Sequence, residues 1–211
     1  MNGMQTMATD EIRILIVEDE PLIAEDIASN LNATDYKVAG VAYNSDKALR
    51  LLREEIIDIA ILDINIKGDK SGIDLAHIIN EQYKIPFIYL TSYADKATVD
   101  KAKQTMPYGY LLKPFREKDL FSSIEMALFR FSKEHKKNLP TREKINGIIS
   151  IGLTEKEYEI LTDLCEGLTN KQLSEKHYIS IHTVKSHVKK ILQKLNVPNR
   201  TSVIHKVYES F

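Results

Sequence analysis

Chemically capable side chains in the first half of this 211-residue sequence sit at the ends of apolar runs. Glu18 and Asp19 follow Ile12–Val17, and Asp63 follows Ile57–Leu62. Thr91 follows Pro86–Leu90, and Lys113 follows Gly109–Leu112, directly before Pro114. Three carboxylates gathered in one crevice repel one another and call for a cation. Oxygen ligands in an open, hydrated site favour Mg²⁺. A cation beside a lysine ammonium makes a receptacle for a phosphoryl group, to which a threonine hydroxyl donates one more hydrogen bond. A carboxylate in that setting is also a nucleophile, able to form an acyl phosphate. Any one acid after a strand is more often a helix cap or a solvated loop residue. The joint pattern, with each group at a strand's end, is what carries the reading.

The apolar runs must bring these groups together. Ile12–Val17 is an apolar run containing β-branched residues, Val38–Tyr43, Ile57–Leu62 and Pro86–Leu90 are similar, and Gly109–Leu112 is a shorter fifth, as fully buried parallel strands read. Between them lie stripes at helical spacing: Leu22, Ile23, Ile27 and Leu31; Ala48, Leu49 and Leu52; Ile73, Ala76 and Ile79; Ala97 to Ala102. A last stripe is Leu120, Ile124, Ala127, Leu128 and Phe131. Five β–α units predict an α/β fold, a doubly wound five-stranded parallel sheet, over residues 12–131. Such sheets hold their functional residues beyond the carboxyl ends of the strands.

Residues 132–150 are polar and basic, include Pro140, and read as a linker. From 151 to 211 the pattern is all-α. Thr154 with Glu157 and Thr169 with Gln172 form capping boxes. Ser180 caps a third helix running to Leu195, Gly167 and Asn196 stop helices, and a fourth helix begins near Asn199. In the third helix Val184, Val188, Ile191, Leu192 and Leu195 make one apolar stripe. His182, Lys185, Ser186, Lys189 and Gln193 lie opposite, a face suited to a DNA major groove. Thr169, Asn170 and Lys171 open the preceding helix, where a phosphate is well received.

Charge supports two jobs. Residues 1–131 hold 15 Lys+Arg and 21 Asp+Glu, a net −6, whereas residues 132–211 hold 14 and 9, a net +5. The basic half suggests an anionic partner. Cys165 is the single cysteine, which excludes an internal disulfide framework. No apolar stretch approaches the length of a membrane span, and the first ten residues show no secretory pattern, so a cytoplasmic location without membrane association is expected. No histidine pair has convincing zinc spacing. Phe121 and Phe129 lie off the last stripe and are either partner-facing or ordinary packing.

The runs ILIVEDE, AILDINI, IYLTSYAD and YLLKPF resemble the receiver domain of two-component response regulators over about Ile12–Phe131. The resemblance implies that Asp63 accepts a phosphoryl group from a histidine kinase or phosphotransfer protein. It implies that Asp19 binds Mg²⁺ with Glu18 in support, and that the Asn65 backbone carbonyl completes the protein ligands. Thr91 and Lys113 would contact the phosphoryl group, Tyr110 would be an aromatic switch, and the Lys113–Pro114 bond would be cis. Two departures concern the adjacent loop. Lys67 stands where many receivers have proline, and the stretch before Gly72 is about one residue longer. Ile64 and Tyr93 flank the site and would tune the lifetime of the phosphoryl group.

The segment LTEKEYEIL…NVPNR resembles the LuxR-type helix-turn-helix of the NarL/FixJ regulators, over about Gly152–Val207. It implies that the helix to Leu195 reads double-stranded DNA, with Lys185, Ser186 and Lys189 near bases or backbone, and His182, Thr183 and Lys190 beside them. The expected function is a transcription regulator whose phosphorylation drives dimerisation and DNA binding. Two rivals use other chemistry. One is a DNA-binding regulator that uses the receiver only to dimerise, without phosphate. The other is a phosphate-ester hydrolase, which would want a second carboxylate two residues after Asp63, where Asn65 stands.

Overall fold

The five strands are β1 (Ile12–Val17), β2 (Tyr36–Ala42), β3 (Ile59–Asp63), β4 (Phe87–Thr91) and β5 (Gly109–Leu112). They form one sheet in the order β2-β1-β3-β4-β5. The pairings of β1 with β3, β3 with β4, and β4 with β5 are parallel. The computed structural model describes residues 11–92, 96–134 and 139–209. The chain divides into two compact units, one spanning Arg13–Phe131 and the other holding the chain from Ser132 onward.

In the first unit the connections are α1 (Pro21–Asn32), α2 (Ser45–Glu54), α3 (Gly72–Ile78), α4 (Lys96–Gln104) and α5 (Glu117–Glu134). Their apolar faces close on the sheet. Leu15, Val17, Ala60, Leu62, Phe87 and Tyr89 share a core cluster with Ala48, Leu52, Leu75, Ala76, Ile79 and Ala102. The stripe Leu120, Ile124, Ala127, Leu128 and Phe131 is buried as its spacing predicts. The α1 stripe is shifted: Ala24, Ile27 and Leu31 are buried, whereas Leu22 is 82% exposed. Pro21 occupies the first turn, where its missing N–H costs nothing. α3 does not continue as a regular helix through Ile79. It widens into a π-helical turn, Ile79–Tyr83, closed by the Lys84 amide donating to the Ile79 carbonyl at 2.7 Å.

Strand register does the positioning. Val17 pairs with Leu62, Asp63 with Leu90, and Thr91 with Leu112. The Glu18 amide donates to the Ala42 carbonyl at 2.9 Å, and the Lys113 amide to the Thr91 carbonyl at 2.8 Å, extending the ladder past the strand ends. Parallel strands in this register leave their next residues side by side at the carboxyl edge.

In the second unit the helices are α6 (Arg142–Asn146), α7 (Glu155–Cys165), α8 (Asn170–His177), α9 (Ile181–Leu195) and α10 (Arg200–Glu209). Both expected capping boxes form. The Ser180 hydroxyl accepts from the Thr183 amide, and Asn196 ends α9 in the left-handed conformation (φ 51°). Gly167 follows α7 at φ 83°, a conformation that favours glycine. The segment read as a linker is partly helical, because α5 runs to Glu134 and α6 lies within it. Thr141 caps α6 and Ile145 is fully buried. Asn146 exchanges two hydrogen bonds with Leu153, at 2.7 and 3.2 Å, and Tyr158 donates to the Pro140 carbonyl at 3.0 Å, tying the segment to the helices after it.

Candidate functional site

At the carboxyl edge of the sheet, Glu18, Asp19 and Asp63 each offer a carboxylate oxygen, all within 4.8 Å of one another. Glu18 is fully buried, and Asp63 is 6% exposed. The Lys113 ammonium lies 2.6 Å from Glu18 Oε2, 2.6 Å from Asp63 Oδ2 and 3.7 Å from Glu20 Oε1. Asp63 Oδ1 accepts from the Asn65 amide at 2.9 Å, and Glu18 Oε1 from the Glu20 amide at 3.1 Å. Burial raises the Glu18 pKa above its ordinary value, more than the Lys113 hydrogen bond lowers it. Burial pulls Lys113 down, but hydrogen bonds and charge from Asp63 and Glu18 outweigh it, so its pKa is raised and it stays cationic. A donor set made only of oxygens, crowded and negatively charged, fits a hard divalent cation such as Mg²⁺.

Thr91 is buried beside this cluster in the strand order, and its hydroxyl donates to the Ser92 carbonyl at 3.2 Å. Tyr110 is 39% exposed, its ring 5.6 Å from that of Tyr89. With Thr91, Lys96, Val99, Lys103 and Leu112 it lines a groove of about 660 Å³. The Lys113–Pro114 bond is cis. Ile64, one of the two expected flanking residues, is buried, whereas Tyr93 lies outside the described residues.

The loop between β3 and α3 was legible as irregular, but its anchoring was not. The Ser45 amide at the start of α2 donates to the Lys67 carbonyl at 3.1 Å, and the Ser45 hydroxyl accepts from the Lys70 amide at 3.4 Å. Gly68, at φ 119°, presses so closely on Ser45 that a Cβ there would lie 2.2 Å from the hydroxyl. The Lys67 ammonium reaches 3.3 Å from Asp19 Oδ2. Sequence showed the loop's unusual length and its lysine, but no pattern in it announces a partner across the sheet edge.

In the second unit α9 buries Val184, Val188, Ile191, Leu192 and Leu195. His182, Ser186, Lys189, Lys190 and Gln193 are exposed, and Thr183 and Lys185 are partly so. The expected cationic, polar face is therefore presented by the helix. Thr169 and Asn170, expected to open α8 toward a phosphate, are instead buried, at 7% and 3% exposed. The Thr169 hydroxyl accepts from the Gln172 amide, and Asn170 Oδ1 accepts from Arg200 at 3.4 Å. Their side chains serve capping and packing, whereas Lys171 beside them is exposed. Burial pushes the Cys165 thiol up to about 12, leaving it inert and apolar in role. Phe121 stacks on Tyr36 with ring centroids 6.0 Å apart, which is ordinary packing.

Residues 14–125 match the family described as Response regulator receiver domain, and residues 152–207 match Bacterial regulatory proteins, luxR family. The chain belongs to the response regulator family. It is similar to the transcriptional regulatory protein LiaR of Bacillus subtilis, at 31% identity over 90% of this chain and 93% of the relative. It is also similar to the response regulator protein VraR of Staphylococcus aureus, at 28% identity over 92% and 94%. Among solved structures, the receiver domain of a modulated diguanylate cyclase from Desulfovibrio desulfuricans shares 35% identity. That match has a TM-score of 0.56 and covers 59% of this chain and 98% of that one. RcsB of Salmonella enterica serovar Typhimurium, solved bound to promoter rprA in the presence of phosphomimetic BeF₃⁻, has a similar fold. Its TM-score is 0.50 at 22% identity, and the match covers 95% of this chain and all of RcsB. This response regulator thus pairs a receiver domain with a LuxR-type DNA-binding domain, the composition of a transcription regulator. Among the described residues no helix is long and apolar enough to cross a membrane.

Proposed function

We propose that Asp63 is the phosphoacceptor of this response regulator, and that its phosphorylation drives dimerisation and DNA binding. The observation that carries this reading is the buried Asp63 carboxylate with the Lys113 ammonium 2.6 Å away, in a crevice walled by Glu18 and Asp19. An oxygen of Asp63 attacks the phosphorus of a phosphohistidine on a sensor kinase or phosphotransfer protein. The P–N bond breaks with its electron pair returning to the imidazole, and an O–P bond forms. Lys113 neutralises charge on the transferring group, and the Thr91 hydroxyl donates to one of its oxygens. Asp19 and Asp63, with Glu18 in support and the Asn65 carbonyl completing the set, would hold Mg²⁺, which would supply further charge neutralisation.

The new group adds about two negative charges to the crevice. Drawing the Thr91 hydroxyl toward it vacates space beside β4, and the half-exposed Tyr110 ring turns into that space. This reshapes the α4, β5 and α5 surface, which then pairs with a second copy. Two α9 helices read half-sites about one helical turn apart, with His182, Thr183, Lys185, Ser186, Lys189 and Lys190 at the groove and Lys171 on the backbone. We place the receiver at 12–131 and the DNA-binding domain at 151–211, with 132–150 between them, acting in the cytoplasm. Asp63 turns over no substrate of its own, since Asn65 stands where a hydrolase would want a second acid.

Sedimentation and DNA binding in Mg²⁺ with beryllofluoride test the proposal. The expected result is a monomer-to-dimer shift and tighter DNA binding in the wild type, both absent in Asp63→Asn. No shift in either property would instead favour a receiver used without phosphate.

A further inference from the structure

We propose that Lys67 is a built-in competitor for the metal position, a residue that sets the affinity of the acidic crevice for divalent cations. The proposal rests on the reading of that crevice as a Mg²⁺ site. Lys113 is engaged by Glu18 and Asp63 at 2.6 Å each, so Asp19 must find its counter-charge elsewhere. It finds it in Lys67, whose ammonium lies 3.3 Å from Asp19 Oδ2. The approach is built into the backbone. Ser45 receives the loop through its amide and hydroxyl, and Gly68 folds against it at a φ of 119° that other residues rarely adopt. The Lys67 side chain is 76% exposed while that of Asp19 is 18% exposed, so the ammonium covers the carboxylate from the solvent side. A divalent cation ligated by Asp19 must displace that ammonium and then tolerate a positive charge nearby.

Lys67 therefore lowers Mg²⁺ affinity and ties occupancy of the site to ionic strength, because an exposed pair is screened by salt. The side chain is solvent-exposed and its loop contacts run through the backbone, so substitution leaves the fold intact.

Isothermal titration of the full-length protein with MgCl₂, without any phosphodonor, tests this directly. Lys67→Ala is expected to bind Mg²⁺ about two- to five-fold tighter than wild type, the range an exposed ion pair supports. Lys67→Arg should match wild type, and the gap between Lys67→Ala and wild type should narrow in ~1 M salt. Unchanged or weaker binding by Lys67→Ala, with Asp19→Asn abolishing binding, would overturn the competitor role and leave the metal site standing. Absence of Mg²⁺ binding in wild type and Lys67→Ala alike would overturn both.

Discussion

Lys113→Met removes the ammonium that holds the acidic crevice together while keeping an unbranched side chain of similar length. The side chains of Lys113, Glu18 and Asp63 are 7%, 0% and 8% exposed, so the interaction is largely shielded from water. Removing one partner of a buried ion pair costs about 3–5 kcal/mol, because the remaining charge is left uncompensated. Glu18 offers a partial escape. Burial already raises its pKa above the ordinary 4.5, and losing Lys113 removes a group that lowers it. An acid whose folded pKa lies above its unfolded value contributes stability that is full below the unfolded value and lost as pH rises through the folded one. The deficit of the variant should therefore be smaller near pH 4, below the unfolded value, than at pH 8, where the full amount is lost, roughly 10–20 °C in the midpoint of the receiver transition. Mg²⁺ should restore more stability to the variant than it adds to wild type, by up to about 2.7 kcal/mol at a hundredfold excess over its Kd. Calorimetric melts at both pH values, in chelator and in Mg²⁺, measure this. A variant within 1 kcal/mol of wild type at pH 8 in chelator, or an equal Mg²⁺ effect in both proteins, would show that Lys113 does not hold the acidic crevice together.

Gly72→Ala places a Cβ 1.9 Å from the Asp63 carbonyl oxygen and 3.0 Å from the Ile64 Cα, where only backbone could yield. It should cost about 1–3 kcal/mol and slow phosphorylation by shifting Asp63, read by thermal melts and single-turnover transfer. Glu157 pairs with Lys194 at 2.6 Å and accepts from the Thr154 amide at 2.8 Å. Its burial raises the pKa, but these partners lower it further, so the net shift is downward from 4.5. Its contribution to the second unit is present above pH 4.5 and lost as pH falls through the lowered value, and Glu157→Gln should erase that pH dependence at a cost of about 1–3 kcal/mol. Lys185→Ala with Lys189→Ala should flatten the salt dependence of binding to mixed-sequence duplex DNA by about two in log–log slope, measured by fluorescence anisotropy, whereas an unchanged slope would remove α9 from the interface.

The sheet was readable because buried parallel strands need no alternation, and their runs end where the chemistry begins. Asp63 and Lys113 are 50 residues apart in sequence, yet both positions follow from strand ends alone. What escaped was decided by tertiary choice. Leu22 looks like a core residue, but α1 docks on the face that carries Ala24, Ile27 and Leu31 and leaves Leu22 exposed. Asn170 looks like a polar residue for DNA, but its Oδ1 accepts from Arg200, which is 6% exposed and 30 residues away. The helix Arg142–Asn146 hides in a polar stretch because a single buried side chain, Ile145, is enough to dock it. The reach of Lys67 to Asp19 depends on Ser45, which lies 22 positions before it and carries no motif.

Phosphoryl transfer to Asp63 is read by incubating wild type and Asp63→Asn with a small phosphodonor and Mg²⁺, followed by intact-mass and peptide analysis under neutral conditions. One phosphoryl group, labile to base and to hydroxylamine as an acyl phosphate is, is expected on the wild-type peptide containing Asp63, and none on the variant. A phosphoryl group on Asp63→Asn, or one on any other residue of the wild type, would contradict the account.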